Sequence, residues 1–381
     1  MSAPDQEYRL PNGGPSIAAL PKVSLHDHLD GGLRASTVVE LAGGAGTATG
    51  SVLELPAFDA AELDAWFRAQ SDSGSLVDYL KTFSVTVGVM QTEEALRRVA
   101  HEFVLDLAAD GVVHGEVRWA PEQHLLGGLT LDQAVEAVQT GLDDGVVDLA
   151  ERNHEMTVGQ IVTALRSSDP TVSLEIAELA LRHRENGVLG FDLAGDEAGY
   201  PASAHATAFD LLAREFLPVT VHAGEADGLD SIRGALLDGR ALRVGHGVRL
   251  AEDVSIMNRD GDSTTVGLGP IASWVRDRQI ALELAPSSNL QTGAIAQWGT
   301  EFFEHPFDLL YQLGFRVTVN TDNRLMSGTS LSRELALLAQ AFDYELADLE
   351  AFQLNAAAAS FLPLEDRDDL ADRIAAGFAE A

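Results

Sequence analysis

Eight short runs of β-branched and apolar residues alternate with longer segments of helical periodicity along this chain. This alternation predicts parallel strands, and eight such units predict a (β/α)8, or TIM, barrel. The 381 residues, 46% of them hydrophobic, suffice for one large core, so we predict a single domain over residues 1–381. The predicted strands are Val23–His26, Val112–Arg118, Thr157–Ala164, Val188–Leu193, Leu217–His222, Arg243–His246, Ile280–Leu284 and Arg316–Asn320.

The intervals between these runs have the residue spacing of amphipathic helices. The predicted helices are Thr92–Ala108, Leu131–Glu151, Thr171–Asn186, Ala202–Glu215 and Ser231–Leu237. The interval 251–278 is longer than a barrel needs and contains a polar loop near residues 260–265. The C-terminal part, 334–381, predicts helices over the base of the barrel with an acidic tail.

Residues 43–92 also exceed what a plain barrel needs between strand 1 and the next long helix. A Gly/Ala/Thr loop is followed by helical patterns that carry a stripe of large apolar side chains. The sequence therefore predicts extra helices here. Such a stripe is common in helices that simply pack on a core, but we interpret the segment as a lid-like insertion whose apolar face covers a ligand.

The composition excludes several classes of function. The formal net charge is −34, and Lys22 and Lys81 are the only lysines. Such a surface repels the phosphate backbone, so we predict no nucleic-acid partner. The acidic surface favours solubility, and adaptation to high salt, which would screen the self-repulsion, is the alternative.

Other features of the sequence bear on the cellular compartment and on membrane binding. The chain has no cysteine, which excludes disulfides and thiolate-bound zinc and is consistent with the cytoplasm, where we expect the protein. No run approaches the roughly 20 apolar residues of a membrane span, so we predict no membrane partner. Residues 1–21 lack the basic and apolar regions of a secretory signal.

Polar residues at the ends of predicted strands are the candidates for chemistry. His26 and His28 stand at i and i+2 in an extended run, so they point to the same side of strand 1. His222, His246 and Asp322 each follow another β-branched run. Asp322 alone could be a helix cap, but imidazoles and a carboxylate at equivalent strand ends together predict a metal or catalytic site.

Seven segments, in order along nearly the whole chain, resemble the adenosine deaminase family of amidohydrolase-like barrels. They are Pro21–Gly31, Gly111–His124, Gly190–Glu197, Val219–Gly228, Val244–Gly247, Glu283–Gly293 and Val317–Leu331. The resemblance implies one zinc ion per chain, an ion that takes imidazole nitrogen and carboxylate oxygen. Its implied ligands are His26, His28, His222 and Asp322. Neither lysine lies on a middle strand, which argues against the carboxylated lysine that bridges two metals in related hydrolases.

The same resemblance implies a reaction, the hydrolytic deamination of adenosine, and of 2'-deoxyadenosine, to inosine with release of ammonia in purine salvage. Zinc would acidify a bound water, and Asp322 and His246 would orient and deprotonate that water for attack on purine C6. Glu225 would protonate purine N1. Its carboxyl must therefore be protonated before catalysis, which a closed and partly apolar pocket favours.

The implied substrate-binding residues are His28, Asp30, Gly195 and Asn323. The Gly195 amide would donate to purine N3, and Asp30 would contact the hydroxyl end of the ribose. Asn323 stands where many members of the family have a second acid that bonds to purine N7. Because N7 is an acceptor, the amide of Asn323 can donate to it as it stands. The residues that align with the apolar gate over the base are Leu76, Tyr79, Leu80 and Phe83.

The residues leave other functions open. The departure at Asn323 is compatible with deamination of a modified adenosine, such as aminodeoxyfutalosine, or of adenine. A catalytically silent barrel that binds a nucleoside is the alternative from another class, and the presence of Glu225, His246 and Asp322 argues against it. The expected partner is a small purine nucleoside, with a homo-oligomer as an open alternative. Surface or packing roles are expected for His101, His114, His124, His154, His183, His205 and His305.

Overall fold

All eight predicted strand regions form strands in the computed structural model, which describes residues 8–11, 14–260 and 263–381. Most of their side chains are buried, as expected for strands with helices outside and a filled interior. An additional antiparallel pair, β7 and β8, lies outside the barrel. The strands are β1 (Lys22–His28), β2 (Val112–Trp119), β3 (Thr157–Leu165), β4 (Val188–Ala194), β5 (Thr220–Ala223), β6 (Arg243–His246), β7 (Val254–Asp260), β8 (Ser263–Leu268), β9 (Ala281–Leu284) and β10 (Val317–Val319).

The eight parallel strands close into a barrel. They form two sheets, β1-β2-β3-β4 and β5-β6-β9-β10, and main-chain hydrogen bonds join the sheets at both seams. At one seam His28 N donates to Asp322 O at 2.8 Å and Asp322 N donates to His26 O at 3.0 Å. At the other, Phe191 N donates to Pro218 O at 3.0 Å. The predicted (β/α)8 barrel is confirmed.

The ends of seven of the eight predicted strands shift by one to three residues, and the largest shift is in β5. β5 begins at Thr220 rather than Leu217, because Pro218 has no N–H for the ladder. The hairpin of β7 and β8 was predicted only as a stretch with a polar loop, of which residues 261 and 262 lie outside the described residues. Ile256 and Met257, which are adjacent in β7, are 57% and 69% exposed. The hairpin therefore lacks the alternating burial by which a strand is recognised in a sequence.

The predicted helices are all present, with ends shifted by up to four residues. None of the helices in the described ranges is both long and apolar enough to cross a bilayer. The helices are α1 (Ala35–Ala42), α2 (Ala60–Ser71), α3 (Leu76–Leu80), α4 (Phe83–Gly88), α5 (Glu93–Ala109), α6 (Leu131–Ala150), α7 (Pro170–Arg182), α8 (Ala206–Arg214), α9 (Leu229–Leu237), α10 (Pro270–Asp277), α11 (Pro286–Gln291), α12 (Phe307–Gln312), α13 (Arg324–Ser327), α14 (Leu331–Phe342), α15 (Leu346–Ala359) and α16 (Leu364–Ala379).

The extra helices expected between strand 1 and the next long helix are α2, α3 and α4. The side chain of Asp59 begins α2 by accepting the main-chain N–H groups of Ala61 and Glu62, which are otherwise unpaired in a first turn. Phe67 of α2 and Tyr79 of α3 are buried. The apolar stripe of the insertion therefore packs inward.

The C-terminal helices cover the base of the barrel, as predicted. Gln353 of α15 accepts a hydrogen bond from Val23 N, at the start of β1, at 2.9 Å. The guanidinium of Arg243, at the start of β6, donates to Ala359 O at 3.0 Å and lies 3.6 Å from the centre of the Phe361 ring. These contacts close the N-terminal ends of the strands and leave the opposite rim for ligands.

Charged side chains fill part of the barrel interior. Arg118 pairs with Asp192 at 3.3 Å and with Glu283 at 2.9 Å. Arg243 pairs with Glu283 and Glu116, both at 2.6 Å. Each buried charge faces an opposite one, which offsets the cost of removing it from water. The network holds the carboxylates of Asp192 and Glu283 directly below the rim.

The net charge of −34 leads to a prediction about stability. Raising NaCl from about 0.01 to about 1 M shortens the Debye length from roughly 30 to roughly 3 Å, which weakens repulsion within the folded protein. We therefore expect the thermal unfolding temperature to rise with NaCl, with most of the rise at low salt. Differential scanning calorimetry over a salt series measures it, and an unchanged or falling temperature would contradict it.

Candidate active site

The polar residues predicted for the site lie at one rim of the barrel. His26 and His28 extend from the same side of β1, because side chains two residues apart on a strand share a face. His222 lies in β5, His246 ends β6, and Asp322 follows β10. One ligand atom from each of His26, His28, His222 and Asp322 falls within 4.8 Å of the others. The structure thus brings the four predicted metal ligands together.

These ligand atoms face one another closely. His28 Nε2 lies 3.2 Å from His222 Nε2, and Asp322 Oδ1 lies 3.3 Å from Nε2 of both His26 and His28. At most one of two facing ring nitrogens can carry a hydrogen, so at least one lone pair points into the group. Imidazole nitrogens that converge with a carboxylate oxygen form the donor set of a divalent metal site.

Buried carboxylates hold the other ring nitrogen of two of these histidines. His26 Nδ1 lies 3.2 Å from Glu283 Oε2, and His222 Nδ1 lies 3.0 Å from Asp192 Oδ2. Each carboxylate accepts a hydrogen from Nδ1, which leaves the lone pair on Nε2, on the side of the metal site. Glu283 was not among the predicted residues; its signal in the sequence is an acidic side chain inside the apolar strand β9.

The protonation states of the group suit metal binding. Burial lowers the pKa of His28 well below its ordinary value and lowers that of His222. Burial opposes ionisation of Asp322, but the hydrogen bond from His26 and the nearby imidazoles hold the pKa of Asp322 well below its ordinary value. Burial also lowers the pKa of His26, but the carboxylates of Asp322 and Glu283 outweigh burial and raise the pKa. The His26 ring therefore holds a second proton more readily than an ordinary histidine, and a metal must displace that proton to bind.

Glu225 lies in the loop after β5, and its Oε2 is 3.4 Å from His246 Nε2. One carboxylate holds this loop: Glu197 accepts the main-chain N–H groups of residues 224–227 at 2.6 to 3.0 Å. Burial raises the pKa of Glu225 well above its ordinary value, and the charges of Asp322 and Glu197 raise it further. The surroundings therefore favour the protonated carboxyl group, which can donate to a ligand.

His246 and Asp322 share a strained backbone conformation, each with φ of 57°. The left-handed region costs a non-glycine residue about 1–2 kcal/mol, so neighbouring contacts must hold it. Ser288 and Asn289 of α11 supply two of them: Ser288 Oγ donates to Asp322 Oδ2 at 2.6 Å, and Asn289 Nδ2 lies 3.0 Å from His246 Nδ1. Neither α11 residue was singled out in the sequence.

The predicted substrate-binding residues lie at the same rim of the barrel. Asp30 is buried, with Oδ1 4.0 Å from His28 Nδ1. Gly195 follows β4 with φ of 92°, a conformation that favours glycine. Asn323 is buried and directly follows Asp322, and a Cβ added at Gly31 would lie 1.9 Å from Asn323 Oδ1. Gly31 therefore leaves the space that the amide of Asn323 occupies.

A cavity of about 410 Å³ opens next to Glu225, a size that suits a small-molecule ligand. Leu76 and Val77 of α3 form part of its wall. Gly74 N donates to Gln291 O at 2.7 Å, which attaches the 43–92 insertion to the end of α11. The insertion therefore borders the cavity that contains the candidate acid.

Two histidines that were expected to have only packing or surface roles lie behind site residues. His124 Nε2 is 3.9 Å from Asp30 Oδ2, while its Nδ1 bonds to Met90 O at 2.9 Å. His305 Nε2 is 3.3 Å from Asn289 Oδ1. Both rings are buried. A lone histidine in the sequence gives no sign of such a position.

Comparisons with known proteins agree with this geometry. The chain matches the family model described as adenosine deaminase over residues 21–377. Adenosine deaminase 1 of Streptomyces coelicolor is 53% identical over 365 residues, which cover 96% of this chain and 88% of the relative.

Solved structures show the same fold. An amidohydrolase from Burkholderia ambifaria with bound zinc aligns with a TM-score of 0.80, at 23% identity, over 98% of this chain and 96% of its own. The Arabidopsis protein ADAL complexed with GMP aligns with a TM-score of 0.77, at 25% identity, over 96% and 99%. Since the family match spans nearly the whole chain and the Streptomyces relative is more than half identical, the chain belongs to the adenosine deaminase family.

Proposed function

We propose that this chain hydrolyses adenosine, and 2'-deoxyadenosine, releasing ammonia and forming inosine from adenosine in purine salvage. The observation that carries the proposal is Glu225, a buried carboxyl group whose surroundings favour protonation, 3.4 Å from His246 and beside four converging metal ligands. A proton donor next to a hydrolytic metal is what deamination of a purine requires. The relative named adenosine deaminase 1, at 53% identity, supports the substrate.

One zinc ion per chain is part of the proposal. Three imidazoles and one carboxylate are ligands that zinc favours, and the carboxylates behind His26 and His222 orient those rings towards the ion. The Burkholderia relative of the same fold has zinc bound. When bound, zinc would supply the Lewis acidity that lowers the pKa of water towards neutrality. The proposed ligands are His26, His28, His222 and Asp322.

The remaining chemistry belongs to side chains. Glu225 would transfer its proton to purine N1, which weakens the aromatic ring and prepares C6 for attack. Asp322, held ionised, and His246 would orient the attacking water and take its proton. The C6–O bond forms, and the C6–N6 bond breaks as the proton taken from water passes to the leaving N6. The proton of the new C6 hydroxyl returns to Glu225, so that adenosine and water yield inosine and ammonia.

Substrate positioning completes the proposal. Asp30, with His28, would bind the ribose end, the Gly195 amide would donate to N3, and Asn323 would donate to N7. The 43–92 insertion would act as a lid, because its helix α3 forms a wall of the cavity beside Glu225. We place the whole chain, 1–381, in one catalytic domain.

We also propose that the protein works in the cytoplasm, which the lack of cysteine in the chain is consistent with. A homo-oligomer is an open alternative to a single working chain. Size-exclusion chromatography with light scattering measures the mass in solution, and the mass of one chain at all concentrations would contradict it.

A substrate panel tests the proposed function. The metal-loaded protein is given adenosine, 2'-deoxyadenosine, adenine, AMP and a 5'-modified adenosine, and both loss of adenine absorbance and release of ammonia are followed. We expect the highest kcat/KM for adenosine and 2'-deoxyadenosine. A higher kcat/KM for adenine or for a 5'-modified compound would overturn the assignment in favour of a related deaminase. Binding of adenosine without ammonia release would indicate a silent barrel.

The proposed contact between Asn323 and purine N7 leads to a separate prediction. We expect 7-deazaadenosine, which lacks the N7 acceptor, to be a poorer substrate, because an unpaired buried donor costs about 1–3 kcal/mol. Asn323→Asp should raise the KM for adenosine, and more at high pH than at low pH, because an ionised carboxylate repels the N7 lone pair. Steady-state kinetics measure both effects.

The exposed Asn153 provides the matched control, since Asn153→Asp adds the same charge far from the rim and should leave both constants unchanged. If the native enzyme turns over 7-deazaadenosine as efficiently as adenosine, Asn323 does not contact N7.

A further inference from the structure

A continuous chain of hydrogen bonds begins at the Nδ1 side of His246, opposite the side that faces Glu225. The main-chain N–H of Phe307 donates to His305 Nδ1 at 3.0 Å. His305 Nε2 lies 3.3 Å from Asn289 Oδ1, and Asn289 Nδ2 lies 3.0 Å from His246 Nδ1. All four residues are buried. Water therefore has little access to satisfy these groups in any other way.

The chain has a fixed direction, because a main-chain N–H can only donate. His305 Nδ1 must hold a lone pair to accept from Phe307, so this ring is not doubly protonated and its hydrogen is on Nε2. Burial lowers the pKa of His305 to about 3, which agrees with a neutral ring. The side of His305 that faces Asn289 is therefore a donor.

Asn289 passes this direction on to His246. Since His305 Nε2–H donates to Asn289 Oδ1, the amide NH2 group is the one that faces His246 Nδ1. The opposite orientation of the amide would place two donors against each other at His305. His246 Nδ1 accepts from the amide and carries no hydrogen. The hydrogen of its ring is then on Nε2, 3.4 Å from Glu225 Oε2.

We propose that Asn289 and His305 are positioning residues that keep His246 in its Nε2–H form, in which it donates a hydrogen bond but takes no proton. The inference rests on the proposed function. During hydrolysis the O–H bond of water breaks and its proton passes to Asp322, the C6–O bond forms, and the proton of Glu225 passes to N1. His246 Nε2–H holds the attacking oxygen. From the sequence, His246 and Asp322 were expected to deprotonate the water together. In this proposal Asp322 alone accepts the proton.

The first experiment reverses the hydrogen bond with a change of nearly equal size. In Asn289→Asp the carboxylate can only accept, so it draws the hydrogen of His246 to Nδ1 and leaves Nε2 without a donor. We expect kcat for adenosine to fall by about 100-fold or more, the usual effect of losing a donor to a developing negative oxygen. The KM and the zinc content should stay at native values. An unchanged kcat would overturn the proposal.

Asn186 supplies a matched control, because its Nδ2 lies 3.5 Å from His183 Nδ1 in a second asparagine–histidine pair remote from the rim. Asn186→Asp should leave kcat, KM and zinc content unchanged. An equal fall of kcat in this control would show that the added charge, rather than the hydrogen-bond direction, is responsible, and would overturn the proposal.

The second experiment observes the hydrogen directly and needs no turnover. Long-range ¹H–¹⁵N spectra of the zinc-loaded protein, labelled at histidine, distinguish the two neutral tautomers. We expect His246 of the native protein to carry its hydrogen on Nε2 and that of Asn289→Asp to carry it on Nδ1. A native His246 with its hydrogen on Nδ1, or with two hydrogens, would overturn the proposal even if adenosine proves not to be the substrate.

A third pair of variants keeps the test independent of the folding of Asn289→Asp. In His305→Gln the amide can accept from Phe307 N and donate to Asn289, so we expect near-native kcat. In His305→Leu no donor remains, so the amide of Asn289 is free to turn and kcat should fall. Similar kcat values for the two variants would contradict the assigned direction. Absence of any turnover by the native enzyme would instead contradict the proposed function.

Discussion

The His222→Ala variant is expected to lose both the bound metal and measurable turnover. His222 is one of four side chains whose ligand atoms lie within 4.8 Å of one another, and its removal takes one of the three imidazole nitrogens from the proposed zinc site. The fold should survive, because Asp192, the partner of His222, keeps Arg118 at 3.3 Å. Loss of metal without loss of structure is therefore the expected result.

Elemental analysis measures the first part of this prediction. Native protein purified without added metal should contain close to one equivalent, with zinc as the metal, and His222→Ala close to none. His101→Ala is the control, since His101 pairs with Asp148 on the surface and its loss should leave the metal in place. Two equivalents in the native protein, or full activity without metal, would show that the site is assigned incorrectly.

A graded version of the same experiment tests the carboxylate behind the ligand. Asp192→Asn leaves His222 in place but weakens the hydrogen bond that orients its ring, and changes of this kind cost about 10–100-fold in metal affinity. Competition with a chelator measures the affinity. We expect an order of affinity in which the native protein is highest, Asp192→Asn is intermediate and His222→Ala is lowest.

The second large effect is expected from Glu225→Gln. The amide has nearly the same shape as the protonated carboxyl but holds its hydrogens too tightly to transfer one to purine N1. We expect kcat to fall by about 100-fold or more, as when a general acid is lost, while zinc content and nucleoside binding stay near native. Steady-state kinetics with isothermal titration calorimetry separate turnover from binding.

The pH dependence of kcat/KM should distinguish Glu225→Gln from the native enzyme. In the proposed mechanism Glu225 must be protonated, so kcat/KM should fall as the pH rises through the pKa of Glu225. Burial raises that pKa, so the fall should occur at higher pH than for an ordinary glutamate. Glu225→Gln should lack this fall. Glu40→Gln, at an exposed glutamate paired with Arg98, should behave as native. Near-native turnover by Glu225→Gln would remove Glu225 from the mechanism.

Much of the barrel follows from local patterns in the sequence. Runs such as Val112–Arg118 and Arg243–His246 are rich in β-branched and apolar residues. Such runs are typical of strands that are buried on both faces, so these strands can be predicted from the sequence. The proposed metal ligands could be grouped for a related reason: the C-terminal ends of parallel strands meet at one rim. His26 and His222 were therefore expected to lie close together although they are 196 positions apart in the sequence.

The hairpin of β7 and β8 was not predicted as a pair of strands. Its strands lie outside the barrel and pair mainly with each other, so no buried face imposes an alternating pattern. Ile256 and Met257 are neighbours and both exposed. A strand stabilised by main-chain pairing rather than by burial leaves a weak signal in the side chains.

By itself, the sequence determined the order of the strands and helices and the polar residues at the rim, because both depend on residue type and on spacing along the chain. Only the tertiary structure decided what stands behind those residues. Glu283 below His26, Glu197 around the loop of Glu225, and Asn289 with His305 behind His246 are all contacts between distant segments. The direction of a hydrogen bond depends on which atoms face each other in space, and no local pattern in a chain records that.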